Sequence, residues 1–296
     1  MQFDLDGKKN AKMLAVIISF NPEKSILALV NSLQQSKLDV LIIDNTTTGN
    51  VYINLLRNRN TCIVETDKTN KGIGRALNMA ITYCERHDID FLFTFDQDSL
   101  PNKGYINKMV KTAVNYKQDK NRYPILIGPT FIGPSGERFR NDIIETEDTY
   151  NIVETVMTSG NMININYFIK NKIKFNENYF IDHVDHEICF RLQDLGYEIV
   201  ESKLAILSHE LGYPTTVNFL GKKLTVYNHS TFRLYFLYRN FIWLKKTYSR
   251  KHKRWFSNVR VSLAKRFLKI LFFEKNKNKK MISIFKGLKD GYINAG

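Results

Sequence analysis

The chain has 296 residues, 43% of them hydrophobic, enough to bury the core of one large α/β domain or of a domain with an appendage, which excludes disorder as the default. The segment Met1 to Lys9 is too polar for a signal peptide and no later apolar run is long enough to cross a bilayer, so the expected location is the cytoplasmic side. The net charge of +15 is uneven: residues 1–238 hold 27 Lys and Arg against 27 Asp and Glu, whereas residues 239–296 hold 17 against 2, a neutral body with a basic tail suited to a negatively charged surface, membrane or nucleic acid.

Short apolar runs alternate with amphipathic stretches through the first half, the pattern of a mostly parallel sheet covered on both faces. Strands are expected at Leu14–Phe20, Val40–Asp44, Cys62–Glu65, Phe91–Phe95 and Ile125–Ile127. Pro22 opens a helix with Ile26, Leu29, Val30 and Leu33 on one face, Ile73, Leu77, Ala80, Ile81 and Cys84 mark a second, and Pro101 opens a third. Residues Gly128–Asp148, rich in Gly, Pro and charge, read as a long connection or hairpin excursion. Strands resume near Val153 and over Lys172–Phe175, and a helix from about Asp185 to Leu195 ends at Gly196. From about Thr231 aromatic residues precede Arg239-Asn240. Over Lys251–Phe273 the apolar residues Phe256, Val259, Leu263, Phe267, Ile270 and Leu271 recur at helical spacing beside Arg260, Lys265, Arg266 and Lys269, a basic amphipathic helix. The division expected is a catalytic body over residues 1–228 and a basic helical region over 229–296. Cys62, Cys84 and Cys189 are odd in number, lie in apolar segments and lack metal-type spacing, so they read as buried free thiols.

The polar residues that could carry chemistry follow strand ends. Ser19-Phe20-Asn21-Pro22 follows the first strand, Asp44-Asn45-Thr46 the second, Asp67 to Gly74 the third and Asp96-Gln97-Asp98 the fourth. Parallel strand ends converge on one edge, where open α/β sheets bind ligands, and two carboxylates one residue apart there suit a divalent cation and a phosphate. Singly, each has a plainer reading: Asp44-Asn45 as a turn, Asn21-Pro22 as a helix start, Asn70-Lys71-Gly72 as a helix N-terminus. Their co-occurrence favours a nucleotide cleft.

An ordered set of short motifs resembles the inverting glycosyltransferases of family 2, with the GT-A fold, and most closely their bacterial rhamnosyltransferase branch. The set is Ser19-Phe20-Asn21, Ile43-Asp44-Asn45, Asn70-Lys71-Gly72-Ile73-Gly74 with Ala76 and Asn78, Phe95-Asp96-Gln97-Asp98-Ser99, Ser159-Gly160-Asn161, Phe180 to Glu187 with Arg191 and Gly196, His209 with Gly212, and Tyr238-Arg239-Asn240. The resemblance implies a Rossmann-like, mostly parallel mixed sheet with helices on both faces and a nucleotide-sugar donor held by Ser19, Asn21, Asp44, Asn45, Lys71, Gly72, Asn78, Asp96 and Gln97. It implies Mn²⁺ or Mg²⁺ on Asp98, with His209 as a further ligand that would favour manganese because imidazole is the softer donor. Without the resemblance, His209 reads as an ordinary polar residue after an apolar strand. Ser159, Gly160, Asn161 and Arg239 are assigned by the resemblance to the acceptor region.

Family alignment puts the base at Asp185, where the helix dipole of a first turn favours the ionised form. Most of the family carries Glu-Asp where this chain has Val184-Asp185, which leaves Asp182 and Glu187 open as sharers of the role. The plainer reading makes Asp182 a helix cap, closed by Asp185, with Glu187 and Arg191 an ion pair on the helix surface. The donor implied is dTDP-L-rhamnose, with a UDP-hexose or UDP-galactofuranose as competitor. The acceptor implied is a polyprenyl-linked sugar or an oligosaccharide at the inner face of a bacterial membrane.

The tail fits peripheral attachment: Trp255, Phe256, Phe267, Leu271 and Phe272 can enter the interface while lysines meet anionic lipid, each worth roughly 1 kcal/mol near the surface. The same stripe could instead pack on the catalytic body. Two rivals remain. An aspartyl phosphohydrolase also places Asp-x-Asp after an apolar strand, but on its first strand and with Thr or Val where this chain has Leu100. A nucleic-acid module would explain the basic tail but not the balanced body with acids at strand ends, so no nucleic-acid partner is expected.

Overall fold

The computed structural model describes residues 11–59, 62–133, 149–208, 215–219 and 222–294. The chain divides into two compact units, one of residues 1–177 and 188–209 and the other of residues 178–187 and 210–296. The first is built on the sheet. Its central strands are β1 (Met13–Ser19), β2 (Asp39–Asp44), β3 (Cys62–Glu65) and β4 (Phe91–Asp96), all parallel, in the order β3-β2-β1-β4. Each is a near-continuous apolar run because both of its faces are covered: Ala15, Val16, Ile17, Leu41, Ile42, Leu92 and Phe93 are all buried. Helices α1 (Ser25–Gln35), α2 (Val51–Arg57), α3 (Ile73–Arg86) and α4 (Tyr105–Lys120) supply the crossovers and cover. In α1 the buried residues Ile26, Leu29, Val30 and Leu33 keep the 3.6-residue spacing of one face.

Beyond β4 the sheet becomes mixed. A two-residue strand β5 (Leu100–Pro101) comes next in sequence, followed after α4 by β6 (Leu126–Ile132), β7 (Tyr150–Val153) and β8 (Met162–Asn164). Helices α5 (Ile165–Lys170) and α6 (Val184–Asp194) lead to the long β9 (Ile199–Ser208). β8 lies antiparallel between β4 and β6, β6 runs parallel to β9, and β9 takes β5 and β7 as antiparallel partners. β9 bulges where it passes Pro129/Thr130. There Ser202 Oγ accepts the backbone N–H of Ala205 at 3.1 Å.

Three sequence expectations change. Pro101 does not open a helix: it pairs with Leu207 in β5, and the next helix starts at Tyr105 behind a left-handed Gly104. Residues 128–132, expected in a connection, continue β6. Lys172–Phe175 is not a strand, because the side chain of Asn78 takes both backbone groups of Phe175: its Oδ1 accepts the N–H at 2.8 Å and its Nδ2 donates to the carbonyl at 2.9 Å.

The second unit holds a hairpin of β10 (Thr215–Phe219) and β11 (Lys222–Val226) and three helices, α7 (Thr231–Tyr248), α8 (Lys253–Phe273) and α9 (Lys277–Ile293). Ser230 caps α7 by accepting the N–H of Arg233. α9 lies close against α7. A Cβ on Gly287 would sit 2.4 Å from the Tyr235 carbonyl oxygen, and one on Gly291 2.9 Å from that of Arg239, so two glycines set the approach of these helices. Tyr235 Oη donates to Asp290 and Trp243 Nε1 to the Asn294 carbonyl across the same seam. In α8 the fully packed positions are Phe256, Leu263 and Ile270, one residue every seven. No helix among the described residues is long and apolar enough to cross a membrane.

Candidate active site

In the sheet unit the register itself gathers the polar residues. Ser19 pairs with Asp44 across β1 and β2, and Ile18 pairs with Asp96 across β1 and β4, so three parallel strands end together. Asp44 is buried, and its Oδ1 accepts from Ser19 Oγ at 2.9 Å, from Thr46 Oγ1 at 2.6 Å and from Thr46 N at 3.2 Å. Burial of a carboxylate is tolerable when several donors converge on it. The loop after β1 is tied to the same edge, with Asn21 N donating to Thr46 Oγ1 at 2.8 Å and Phe20 N to Gln97 Oε1 at 2.7 Å. Asn45 Nδ2 reaches the Gly72 carbonyl, and Gly72, at φ +85°, starts α3. Hence Ser19, Asn21, Asp44, Asn45, Gly72 and Gln97 form one hydrogen-bonded rim.

Lys71 lies on that rim in an exposed ion pair with Asp67. Hydrogen bonds from Lys71 and Thr69 hold the Asp67 carboxyl below the usual carboxylate range. Asn78 is occupied with Phe175 and also donates to Glu177 Oε1 at 2.9 Å, joining α3 to the chain ahead of α6.

Asp96 is half-buried at the tip of β4 and Asp98 exposed just beyond. The turn between them is held from behind: Ser159 Oγ accepts the Asp96 N–H at 3.1 Å and lies 2.6 Å from Ser99 Oγ. Gly160 N donates to the Thr94 carbonyl, and Thr94 N to the Asn161 carbonyl. Ser159, Gly160 and Asn161 are thus buried beneath the acidic turn and fix its position. Among the described residues no group of three or more His, Cys, Asp or Glu is arranged to hold a metal, and His209 lies outside them. The donors present do suit a hard divalent cation, since one or two carboxylates are sufficient when phosphate oxygens and water complete the shell.

In the helical unit the chain reaches α6 through two left-handed residues, Asp182 at φ +60° and His183 at φ +65°. Asp182 is not the cap of α6. Its carboxylate takes Nε and NH2 of Arg233, at 3.1 and 2.9 Å. Asn240, fully buried, donates to the carbonyls of both Ile181 and Asp182 at 2.9 Å. Arg239 donates to the Asn178 carbonyl at 2.6 Å and lies 3.9 Å from the Trp243 ring centre, a cation–π contact that fixes the guanidinium. Glu187, buried, receives Tyr248 Oη at 3.1 Å, while in the sheet unit Arg191 donates to the Lys174 carbonyl.

Asp185 stands in the first turn of α6. Burial pushes its carboxyl up, but the charge and hydrogen bonds of His186 outweigh this and hold it below the ordinary value. A group kept ionised in this way is able to accept a proton. Arg233, Asn240, His186 and Trp255 were not singled out as site residues from sequence. The Tyr-Arg-Asn motif and the two histidines in Phe180–Glu187 were the only signals, and neither names its partners.

The mostly parallel sheet with its polar strand ends and helical appendage defines a GT-A glycosyltransferase fold. The sequence profile of Glycosyl transferase family 2 matches residues 14–181, and the chain belongs to that family. It is a glycosyltransferase. A dTDP-rhamnosyl transferase of Shigella flexneri, RfbF, is 26% identical over 251 residues, covering 81% of this chain and 82% of the relative. Among solved structures, S. aureus TarS 1–349 matches with a TM-score of 0.54 at 18% identity, over 95% of this chain and 80% of that one. GalNAc-T7 with UDP, GalNAc and Mn²⁺ matches with a TM-score of 0.58 at 12% identity, and this chain spans 56% of it.

Proposed function

We propose that the protein transfers L-rhamnose from dTDP-L-rhamnose to a hydroxyl of a lipid-linked or polysaccharide acceptor, with inversion at the anomeric carbon. The observation that carries the donor half is the shared end of β2, β1 and β4, where Asp44, Ser19 and Asp96 meet with Asp98 exposed beyond them. The choice of rhamnose rests on the S. flexneri relative. Asp44, Asn45, Lys71 and Gly72 would face the nucleotide, Asp96 and Gln97 the ribose or sugar. Asp98 would hold Mn²⁺ or Mg²⁺, joined by His209, and such an ion supplies positive charge to the departing diphosphate.

Asp185 is assigned the base. It takes the hydroxyl proton of the acceptor as that oxygen bonds to the anomeric carbon, and the bond to the diphosphate breaks with its electron pair leaving on the nucleotide. Asp182, bound to Arg233, and Glu187, bound to Tyr248, are assigned to holding the segment around Asp185. A lipid-linked acceptor and attachment at the inner membrane face are supported by a groove in the helical unit. Phe241 and Phe256 line it together with Lys245, Lys253 and Arg260.

Calorimetry with dTDP-L-rhamnose, a UDP-hexose and UDP-galactofuranose, with and without Mn²⁺, tests the donor. The dTDP sugar with Mn²⁺ should bind most tightly, and a tighter UDP sugar would replace it. In the same assay Asp185→Asn should bind donor as the parent does while turnover falls about 100- to 10,000-fold. Near-parental turnover would remove Asp185 from the role.

A further inference from the structure

The geometry points to His186 as a positioning residue for Asp185: it holds one carboxylate oxygen fixed, leaves the other for the acceptor hydroxyl, and is itself braced by His183 and Trp255. This rests on the reading of Asp185 as the base.

Two donors of His186 fall on the same oxygen. Its backbone N–H donates to Asp185 Oδ1 at 2.9 Å, and its ring Nδ1 lies 3.0 Å from that atom. Oδ2 receives no hydrogen bond among the described residues, so the two oxygens are inequivalent and only Oδ2 has its lone pairs uncommitted. A carboxylate pinned on one side presents the other in a narrow range of directions, which is what proton removal from a sugar hydroxyl needs.

The ring of His186 is in turn over-determined. Its centroid is 4.8 Å from the Trp255 ring on α8, and its Nδ1 is 3.1 Å from Nδ1 of His183. One proton can lie between two facing nitrogens, so one of them accepts. His183 is packed between Phe241 of α7 and Trp255. Burial above all, then the charge of His186, lowers its pKa to about 4 against the opposing pull of Asp182, Asp185 and the Leu237 backbone. It is therefore neutral at neutral pH, and because an ionised carboxylate oxygen only accepts, the Nδ1 of His186 that faces Asp185 Oδ1 carries the proton and the Nδ1 of His183 accepts. That proton is directed between His183 and Asp185 Oδ1. The groups facing this pair are Asp182 and Asp185 on their own segment and Trp255 and Phe241 from the helices, with Arg233 of α7 neutralising Asp182. The His186 side chain keeps a quarter of its surface exposed.

During transfer the hydroxyl proton goes to Oδ2, the oxygen–hydrogen electron pair becomes available for the new glycosidic bond, and His186 remains on Oδ1. The ring is not consumed and forms no bond to substrate. Its contribution is orientation together with a lowered proton affinity of Asp185, which keeps the base ionised in mildly acidic medium.

The test is kcat/KM against pH for the full-length enzyme, its His186→Ala and His186→Asn variants, and Asp185→Asn, with donor calorimetry on each. The amide nitrogen of asparagine falls where Nδ1 was. H186A should lose roughly 10- to 100-fold in kcat with donor affinity unchanged, and its acid limb should move to higher pH. H186N should regain most of the lost kcat. A parental kcat and acid limb in H186A would overturn the inference, as would equal losses in both variants with no movement of the limb, which is what simple loosening of α6 produces. If H186A fails to bind donor, His186→Gln replaces it: its amide is one bond farther out, so H186Q slow beside a fast H186N supports the assignment and equal rates overturn it. Active D185N removes the base reading itself. Inactive D185N beside an H186A of parental profile removes the positioning role alone.

Discussion

At Gly160 a missing side chain is what lets the acidic turn be built. The residue has φ +78°, and a Cβ there would lie 2.4 Å from Tyr105 Oη, 2.9 Å from Pro129 Cγ and 3.0 Å from Leu207 Cδ2. Its carbonyl receives the Tyr105 hydroxyl and its N–H donates to Thr94, so the segment cannot retreat without breaking contacts on β4. Ser159, one residue before, holds the backbone of Asp96. Gly160→Ala should therefore cost about 2–4 kcal/mol in urea unfolding and weaken nucleotide-sugar binding through Asp96. Gly104 is the internal control: it has φ +72° and nothing within 4 Å of a built Cβ, so Gly104→Ala should cost only the conformational part, about 1–2 kcal/mol. Equal costs at the two positions would mean that backbone conformation, and not the contact with Tyr105, explains Gly160.

Among the elements, what could be read from sequence followed the strength of local patterning. β1, β2 and β4 are visible because a strand buried on both faces must be apolar throughout. Their polar ends then identify the rim with Ser19, Asp44 and Asp96. β8 could not be read, because Met162–Asn164 is three residues long and is a strand only by virtue of the partners β4 and β6 on either side. Pro101 carried a helix-start signal that pairing with Leu207 overrode. The start of α6 was legible to within a residue, expected at about Asp185 and found at Val184, but the partner of Asp182 was not: it has the chemistry of a cap, yet Arg233, some fifty residues away, offers a bidentate partner that local sequence cannot reveal. The left-handed turn that results carries His183 inward, where burial lowers its pKa from 6.5 to about 4. The unfolded chain then binds this proton at a higher pH than the folded one. Stability is complete above pH 6.5 and is lost as the pH falls toward 4, by roughly 3 kcal/mol for His183 alone. His229, depressed to about 4 mainly by burial and by the charge of Arg266, acts in the same window and direction. Urea midpoints measured between pH 7 and 4.5 should fall accordingly, and His183→Phe should flatten the curve. An unchanged slope in that variant would exclude His183 as the source.

For the molecule as a whole, the asymmetry of charge is the feature that sequence gave most directly and whose use depends most on packing. The basic helix is not a free tail. Phe256, Leu263 and Ile270 of α8 are buried, the Trp255 ring lies tilted against His186, and Phe267 meets Phe285 of α9. Truncation at residue 251 would therefore strip Trp255 from the histidine pair and both α8 and α9 from α7, and loss of vesicle binding would report damage as readily as detachment. Among the apolar side chains that face solvent are Leu268, Leu271 and Phe272 on α8 and Ile282 and Phe285 on α9, with Lys265, Lys269 and Lys275 close in sequence. Aromatic and aliphatic groups interleaved with lysine bind an anionic interface by burial and charge together, whereas lysines that are merely solvated do not. Leu271→Ser with Phe272→Ser leaves the buried stripe intact. This double variant should keep its circular dichroism and its affinity for donor, yet lose about tenfold or more in binding to phosphatidylserine vesicles, because two apolar anchors of this size contribute on the order of 1.5–3 kcal/mol each when buried. Raising salt should weaken the parent further, through the lysines. Parental vesicle binding by the double variant would assign the basic surface to another use, and binding that is indifferent to both changes would leave the charge of the C-terminal unit with no membrane role.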